Sequence, residues 1–456
     1  MIKKSLLEIS NMVDGNGLEK AFNQIEVVGV SIDTRTIKQG NLFVPIIGEN
    51  FNGHKFVENA IKQGAVASFW QKDQPNPPAG IPLIIVEETL SALQKLAKNY
   101  LAQLSVKVVG ITGSNGKTTT KDMVTSVLST TYKVQKTEGN LNNHIGLPLT
   151  ILRLQNDTEI AVLEMGMSGK GEIELLSQIA HPDAAIITNI GESHLLDLGS
   201  RDGIADAKLE ITTGLSPNGL LIYHGEEPLL ETRVQSMSYK KVTFGQINTC
   251  DYYSSSVEQK NEGTYFAVNG KKEPSYYIPV LGKHNVNNAL AAIAIADFFE
   301  VPSEKIIEGL KTLTLTGMRT ELIQGENGVQ IINDAYNASP TSMKAAVGLL
   351  EDMKGFKQKI VVLGDMLELG ENEISFHYEV GKNLQPNNLD YVFTYGSLAQ
   401  NIALGAREIF PEGKVFSYED KTALIEQLKQ VVGSGDVVLV KGSRGMKLEE
   451  VVEALS

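Results

Sequence analysis

Apolar residues fall into short runs separated by stretches long enough for a helix, and this rhythm recurs along the whole chain. In the first part, strand-like runs at 27–32, 42–47, 65–69 and 83–86 alternate with short helical patterns. A polar stretch at 71–80 carries Pro75, Pro77 and Pro78 and reads as a surface loop. Leu90, Leu93, Leu96, Ala97, Tyr100, Leu101 and Leu104 then recur at helical spacing. This helix closes a first block near residue 104.

A second block opens with the apolar run Lys107–Thr112 and continues with runs at 160–163, 184–188 and 219–223. Runs that are apolar throughout, separated by helix-length segments, predict a parallel sheet covered on both faces. The stretch 252–279 is polar and aromatic and predicts antiparallel hairpins; Leu281-Gly-Lys-His-Asn285 then leads into an alanine-rich helix. A third block begins after about residue 314, with strands at 329–332, 360–363, 391–394 and 437–440 alternating with helices. The expected domains are therefore 1–104, 105–314 and 315–456. Neither a short-period repeat nor a low-complexity tract interrupts them.

Composition narrows the class. A chain of 456 residues exceeds what one core organises. Its formal net charge of −13 argues against sequence-independent binding to a nucleic-acid backbone, while leaving room for a local basic pocket. Cys250 is the single cysteine, so no intrachain disulfide forms, and the thiol reads as incidental. The N-terminus meets Glu8 before any apolar core of signal-peptide length develops, and the apolar stretch 289–296 is too short for a bilayer. A cytoplasmic enzyme without membrane insertion is the expectation, as a monomer.

Gly113-Ser114-Asn115-Gly116-Lys117-Thr118 follows an expected strand and opens an expected helix. That context suits a phosphate loop: backbone N–H groups and the helix dipole face phosphate, Lys117 supplies a positive charge, and Thr118 offers a hydroxyl to Mg²⁺. The spacing departs from the usual pattern, because Ile111 stands where the first glycine belongs. The loop indicates a nucleotide and names no reaction. Glu164 ends an apolar run, where a parallel strand delivers it to the nucleotide edge. His194 lies just beyond the next strand, and Lys208 lies on an expected helix. The three could line a site for two Mg²⁺ ions near a γ-phosphate, or be a solvent-facing carboxylate, a hydrogen-bonded imidazole and a surface amine.

The segment Thr112–Thr118, together with Glu164, His194, Lys208 and Leu281-Gly-Lys-His-Asn-Val-Asn-Asn288, resembles the Mur ligase family along essentially the whole chain. The resemblance implies three α/β domains: a central parallel-sheet phosphate-loop ATPase domain, flanked by an α/β N-terminal domain and a Rossmann-like C-terminal domain. They would bind ATP, a UDP-muramoyl peptide and the incoming amino acid or dipeptide. Asn333-Asp-Ala-Tyr-Asn-Ala-Ser-Pro-Thr-Ser-Met343, Val362-Leu-Gly-Asp-Met-Leu-Glu-Leu-Gly370 with His377, and Val440-Lys-Gly-Ser-Arg444 resemble the branch that adds D-alanyl-D-alanine to a UDP-N-acetylmuramoyl tripeptide. An Asp-Asn-Pro-Arg motif, the mark of diaminopimelate-adding relatives, is absent.

Residue by residue, the resemblance implies that Gly113, Ser114, Asn115, Gly116, Lys117, Thr118 and Thr119 cradle phosphate, that Asn288 meets adenine and Asp334 the ribose, and that Arg319 meets the phosphates. Thr118 and Glu164 would hold one Mg²⁺, with His194 and Lys208 at the other, Lys208 as a carbamate. Lys117, His194, Lys208 and Arg319 form the implied catalytic set. Thr34, Arg35, Asn50, Asn140, Tyr336 and Asn337 are the implied substrate contacts. Ser193 departs from the alanine usual before this histidine. The rival readings are a sister ligase, such as a folylpolyglutamate synthetase or another amino-acid-adding Mur enzyme, and a nucleotide-switched binding protein without ligase chemistry.

Overall fold

The computed structural model describes residues 1–260, 262–270 and 275–456. Among them, larger sheets of four, nine and six strands follow one another along the chain. The first contains Val30–Ser31, Leu42–Phe43, Ala67–Gln71 and Leu83–Val86, all parallel and in that order. Two expected strands here are corrected. The run at 27–32 divides at Gly29, whose left-handed φ of 81° turns the chain: Glu26–Val28 pairs with Lys3–Ser5, while Val30–Ser31 enters the parallel sheet. The run at 42–47 stops after Phe43, and Pro45, without an N–H for a ladder, separates it from a small hairpin of Ile47–Gly48 with Phe51–Asn52.

The central sheet runs Val134–Lys136, Ile160–Glu164, Lys107–Thr112, Ala184–Ile187, Leu220–His224, Lys240–Gly245, Tyr252–Lys260, Gly263–Val268, Tyr276–Ile278. Every pairing up to Tyr252–Lys260 is parallel, and the last two are antiparallel. The hairpins expected at 252–279 are thus present, with residues 261 and 271–274 of that stretch outside the described residues. Strand side chains alternate between two cores. Val109, Ile111 and Val162 pack with Met123, Val127, Leu290 and Ile293 on one face. Val108, Ala161 and Leu163 pack with Leu147, Leu176 and Ile211 on the other.

The second of these cores continues without a break into Leu93, Leu96 and Tyr100 of the helix Thr89–Leu101. The Tyr100 hydroxyl donates to the Leu154 carbonyl at 3.0 Å, and the Ile2 amide donates to the Leu152 carbonyl at 2.8 Å. The first sheet is therefore seated on the segment that follows Gly146–Leu152 by buried apolar contact as well as by hydrogen bonds.

In the third sheet the order is Glu321–Gln324, Gln330–Asp334, Val437–Lys441, Lys359–Gly364, Tyr391–Tyr395, Val415–Tyr418, antiparallel only at its first pairing. Four strands had no clear apolar signal: Val134–Lys136, Lys240–Gly245, Glu321–Gln324 and Val415–Tyr418. Three of them lie at or beside an uncovered edge and carry half-buried or exposed polar residues. In open α/β sheets ligands gather at the carboxyl ends of strands, where the strand order reverses. The carboxyl ends of the central and third sheets line one shared cavity of about 570 Å³.

Candidate active site

Strand Lys107–Thr112 is buried from Val108 onward, and it delivers the loop that turns into helix Lys117–Leu128. Gly113 sits at φ 145°, and a Cβ there would lie 1.8 Å from the Thr188 hydroxyl, so no other residue fits without moving the neighbouring strand. The loop is held from that strand's end. Asn189 accepts from the Ser114 amide with its carbonyl (3.0 Å) and from the Asn115 amide with its side chain (2.9 Å). Thr188 donates to the Asn115 carbonyl at 2.6 Å, and the Gly191 amide donates to the Ser114 hydroxyl at 2.9 Å.

Lys117 is the first residue of the helix rather than a loop residue, and it is half-buried rather than freely exposed. Its ammonium donates to the Gly113 carbonyl at 2.7 Å, and burial lowers its pKa, opposed by Glu164. Asn288, buried on helix His284–Phe298, accepts from the Thr120 hydroxyl at 3.2 Å and donates to Asn285 at 3.0 Å. Its amide braces the phosphate-loop helix from behind while lining the cavity.

Glu164 is the last residue of its strand and is buried. Its carboxylate accepts from Thr118 Oγ1 at 2.9 Å and from Asn142 Nδ2 at 2.8 Å, and its amide donates to Thr137. A solvent-facing role for Glu164 is therefore excluded. Among the described residues no three His, Cys, Asp or Glu side chains cluster as a metal cage. A buried hydroxyl–carboxylate pair beside a phosphate loop does fit Mg²⁺, which commonly takes one or two carboxylates and completes its shell with phosphates and water.

Lys208, on helix Arg201–Leu209, is 1 % exposed, and its side-chain amine makes no hydrogen bond or ion pair among the described residues. Burial, then Lys117, holds its pKa well below that of an ordinary lysine. It is not a surface amine, nor does it line the cavity directly. His194 does line it. The residue adopts φ 63° at the start of the short helix Leu195–Leu198, and burial followed by Lys117 lowers its pKa. Its Nδ1 lies 2.9 Å from Glu368 Oε2, a close contact that lacks hydrogen-bond alignment.

The third sheet supplies the opposite wall. Asp334 ends its strand and forms an ion pair at 2.6 Å with Lys441, which ends the neighbouring strand and also donates to the Asn337 carbonyl at 2.9 Å. The other Asp334 oxygen accepts from the Thr320 amide at 3.0 Å. Arg319 stacks on Tyr336, its guanidinium carbon 4.1 Å from the ring centroid, between two residues with left-handed backbones, Met318 (φ 61°) and Thr320 (φ 54°). Such strain in non-glycine residues collects at functional sites. Further contacts join this wall directly to the central one, among them Ser339 Oγ to Asn115 Oδ1 at 3.3 Å and Thr341 Oγ1 to Glu192 at 2.7 Å.

Thus Ser114, Asn115, Gly116, Lys117, Thr118, Thr119, Asn140, Glu164, His194, Asn288, Arg319, Asp334, Tyr336 and Asn337 line one cavity. Thr34, Arg35 and Asn50 do not. Thr34 and Arg35 occupy a turn in which Asp33 clasps the exposed Arg35 guanidinium through Oδ1 at 3.0 Å and Oδ2 at 2.6 Å, and Asn50 is exposed near the Ile47–Asn52 hairpin. Asn142, Lys441 and Glu368 were not singled out as site residues in the sequence reading. Lys441 and Glu368 sit inside segments that carried the resemblance, and Asn142 had no signal beyond its nearness to Asn140.

A phosphate loop with a buried carboxylate behind it, facing a second α/β unit that adds an arginine and an aspartate, defines an enzyme that uses a nucleoside triphosphate between two α/β units. The chain belongs to the Mur ligase family. The family models for the catalytic domain, the middle domain and the glutamate ligase domain match residues 26–101, 111–296 and 318–444. It is 53% identical over 455 residues to the UDP-N-acetylmuramoyl-tripeptide--D-alanyl-D-alanine ligase of Bacillus subtilis (strain 168), covering 100% of this chain and 99% of that one. It resembles the crystal structure of MurF from Acinetobacter baumannii with a TM-score of 0.90 and 31% identity, over 99% of this chain and 98% of that one. It also resembles the MurF ligase of Thermotoga maritima in complex with ADP, with a TM-score of 0.83 and 30% identity, over 93% and 96% of the two chains.

Proposed function

We propose that this chain is an ATP-dependent ligase that joins D-alanyl-D-alanine to the terminal carboxylate of a UDP-N-acetylmuramoyl tripeptide, producing the pentapeptide precursor of peptidoglycan. The observation that carries the reading is the single cavity shared by the phosphate loop and the Asp334–Ser342 segment, on a chain with full-length identity to such ligases. ATP phosphorylates the tripeptide carboxylate to an acyl phosphate. The neutral dipeptide amine then attacks the acyl carbon, the nitrogen loses a proton to solvent, and the tetrahedral intermediate collapses to amide with phosphate as the leaving group. Lys117 and the N-terminus of its helix offset the charge that accumulates as anionic groups approach. Bound Mg²⁺, held through Thr118 and Glu164 with His194 at a second ion, would neutralise phosphate oxygens during transfer.

In this reading residues 1–104 hold the nucleotide end of the tripeptide through Thr34, Arg35 and Asn50, residues 105–314 hold ATP, and residues 315–456 hold the dipeptide. Asn288 and Asp334 take the adenine and ribose, Arg319 the phosphates, and Asn140, Tyr336 and Asn337 the substrates. Lys208 suits carbamylation: its neutral amine adds CO₂ with loss of a proton, and an unpartnered base becomes a carboxylate for a metal. An unmodified ammonium there would be repelled by Mg²⁺. The nucleotide-linked substrate and the use of ATP support a cytoplasmic reaction; among the described residues no helix is long and apolar enough to cross a membrane.

The test is mass spectrometry of the product formed from ATP, D-alanyl-D-alanine and UDP-muramoyl tripeptides ending in lysine or diaminopimelate. A ligated pentapeptide, with phosphate release that requires both peptide substrates, is the expected result. Phosphate release indifferent to the peptides would instead favour a nucleotide-driven binding protein.

A further inference from the structure

The carboxylates that line the cavity are not equivalent. Glu164 is occupied by Thr118 and Asn142, Asp334 by Lys441 and Thr320, and Glu172 accepts from the Ser168 amide. Glu368 alone among them has no hydrogen bond to its carboxylate among the described residues, and its side chain is 58 % exposed.

Its backbone, by contrast, is fixed. The Met366 amide donates to His377 Nε2 at 2.9 Å, and the Leu367 amide donates to Ser443 Oγ at 2.9 Å. Asp365 accepts from the Ala399 amide at 2.7 Å. The Glu368 carbonyl in turn accepts from Leu196 of the central region at 3.2 Å, and Glu368 itself holds a left-handed φ of 65°. Non-glycine residues rarely keep that conformation unless their surroundings impose it. The third region thus carries this carboxylate across to the central wall and sets it 2.9 Å from His194 Nδ1, a residue close enough to feel the charges of Lys117 and Lys208.

Much of the site is arranged for anions: the phosphate loop, Lys117 and Arg319. The dipeptide brings one cationic group, the ammonium that must reach the reacting carboxyl. We infer that Glu368 binds this ammonium as the dipeptide enters and holds its nitrogen toward the acyl carbon, where it gives up one proton to water and attacks as the neutral amine, making Glu368 a specificity-determining residue for the amine substrate. The inference rests on the ligase reading above and adds to it the group that selects a free amino terminus.

The experiment is steady-state kinetics of the full-length enzyme and its E368Q and E368D variants, varying each substrate in turn. Glu368 is exposed and its carboxylate makes no hydrogen bond, so E368Q keeps the fold, as circular dichroism would verify. E368Q should raise the KM for D-alanyl-D-alanine about tenfold or more, the scale of a charge-assisted hydrogen bond, while the KM for ATP stays within about twofold. E368D, which restores the charge on a shorter arm, should recover part of the loss. An unchanged dipeptide KM in E368Q overturns the inference. So does a rise shared equally by all three substrates, because that is what a purely structural role would give. Absence of ligation by the unsubstituted enzyme would instead count against the ligase reading itself.

Discussion

The phosphate loop and the segments that face it meet in one cavity but are specified in different ways. The loop is set by its own strand, helix and the adjoining strand end, and its supports lie within the central sheet. The facing wall depends on residues far apart in sequence: Lys441 on Asp334, Ser443 on Leu367, Ser339 on Asn115. It also holds left-handed non-glycine backbones at Met318, Thr320 and Glu368. One half of the site is held within a single sheet, whereas the other is held by contacts between segments far apart in the chain. Substitutions in the loop should therefore remove chemistry, and substitutions in the facing wall should mainly weaken binding.

The largest expected effect is at Lys117. Lys117→Ala should cost about a thousandfold or more in kcat, the scale of losing a preorganised charge, with circular dichroism unchanged. Near-normal turnover by a folded variant would remove the nucleotide assignment and the comparison with it.

Lys208→Ala comes next, with an expected loss of about a hundredfold or more in kcat if a carboxylate that orients metal is removed. Formate should restore part of the activity. Activity retained by Lys208→Arg, without formate rescue of Lys208→Ala, would exclude the carbamate. Stability supplies a second readout in CO₂-free buffer. The folded chain holds this lysine's pKa below its unfolded value, so the unfolded state binds more protons and stability rises with pH until about 10.4. Lys208→Met should flatten that slope and raise the melting temperature at neutral pH by about 2 °C, measured by scanning calorimetry.

On the facing wall, Asp334→Ala strands the buried Lys441 ammonium. It should raise the KM for ATP about tenfold, with Asn337→Ala acting on the dipeptide. Michaelis constants unchanged for both substrates in both variants would show that this wall does not bind them. The smallest effect on binding belongs to Ser339→Ala, which deletes the neutral hydrogen bond to Asn115 between the two walls together with the N-cap of helix Pro340–Asp352. A two- to fivefold rise in KM, about 0.5–1 kcal/mol, is expected. A collapse of kcat there would mean that the junction between the two walls, rather than the loop alone, sets the chemistry.

Much of this layout was legible from sequence. The run Lys107–Thr112 and the loop after it appeared as strand, turn and helix start because each signal is local. The apolar run placed Glu164 at a strand end, but a solvent-facing carboxylate stayed open there until the resemblance was added, and only packing shows it buried. The edge strands were missed because half-exposed positions tolerate polar residues. The run at 27–32 was misread because its apolar residues give no warning that Gly29 turns the chain between two sheets. Lys208 could not be told from a surface lysine, since its helix carries polar and charged neighbours and only packing reveals that it is buried without a partner.

By itself the sequence determined the α/β class, the nucleotide loop and, by resemblance, the family, because short periodic patterns and backbone-demanding motifs act over a few residues. The tertiary structure decided which polar groups are spent and which are free. Asn288 braces the phosphate-loop helix while still lining the cavity, Arg35 is held by Asp33, and Glu368 faces His194 with no hydrogen bond to its carboxylate among the described residues. The reason is physical: a buried polar group is defined by what surrounds it, and those partners come from strands and loops that only the folded chain brings together.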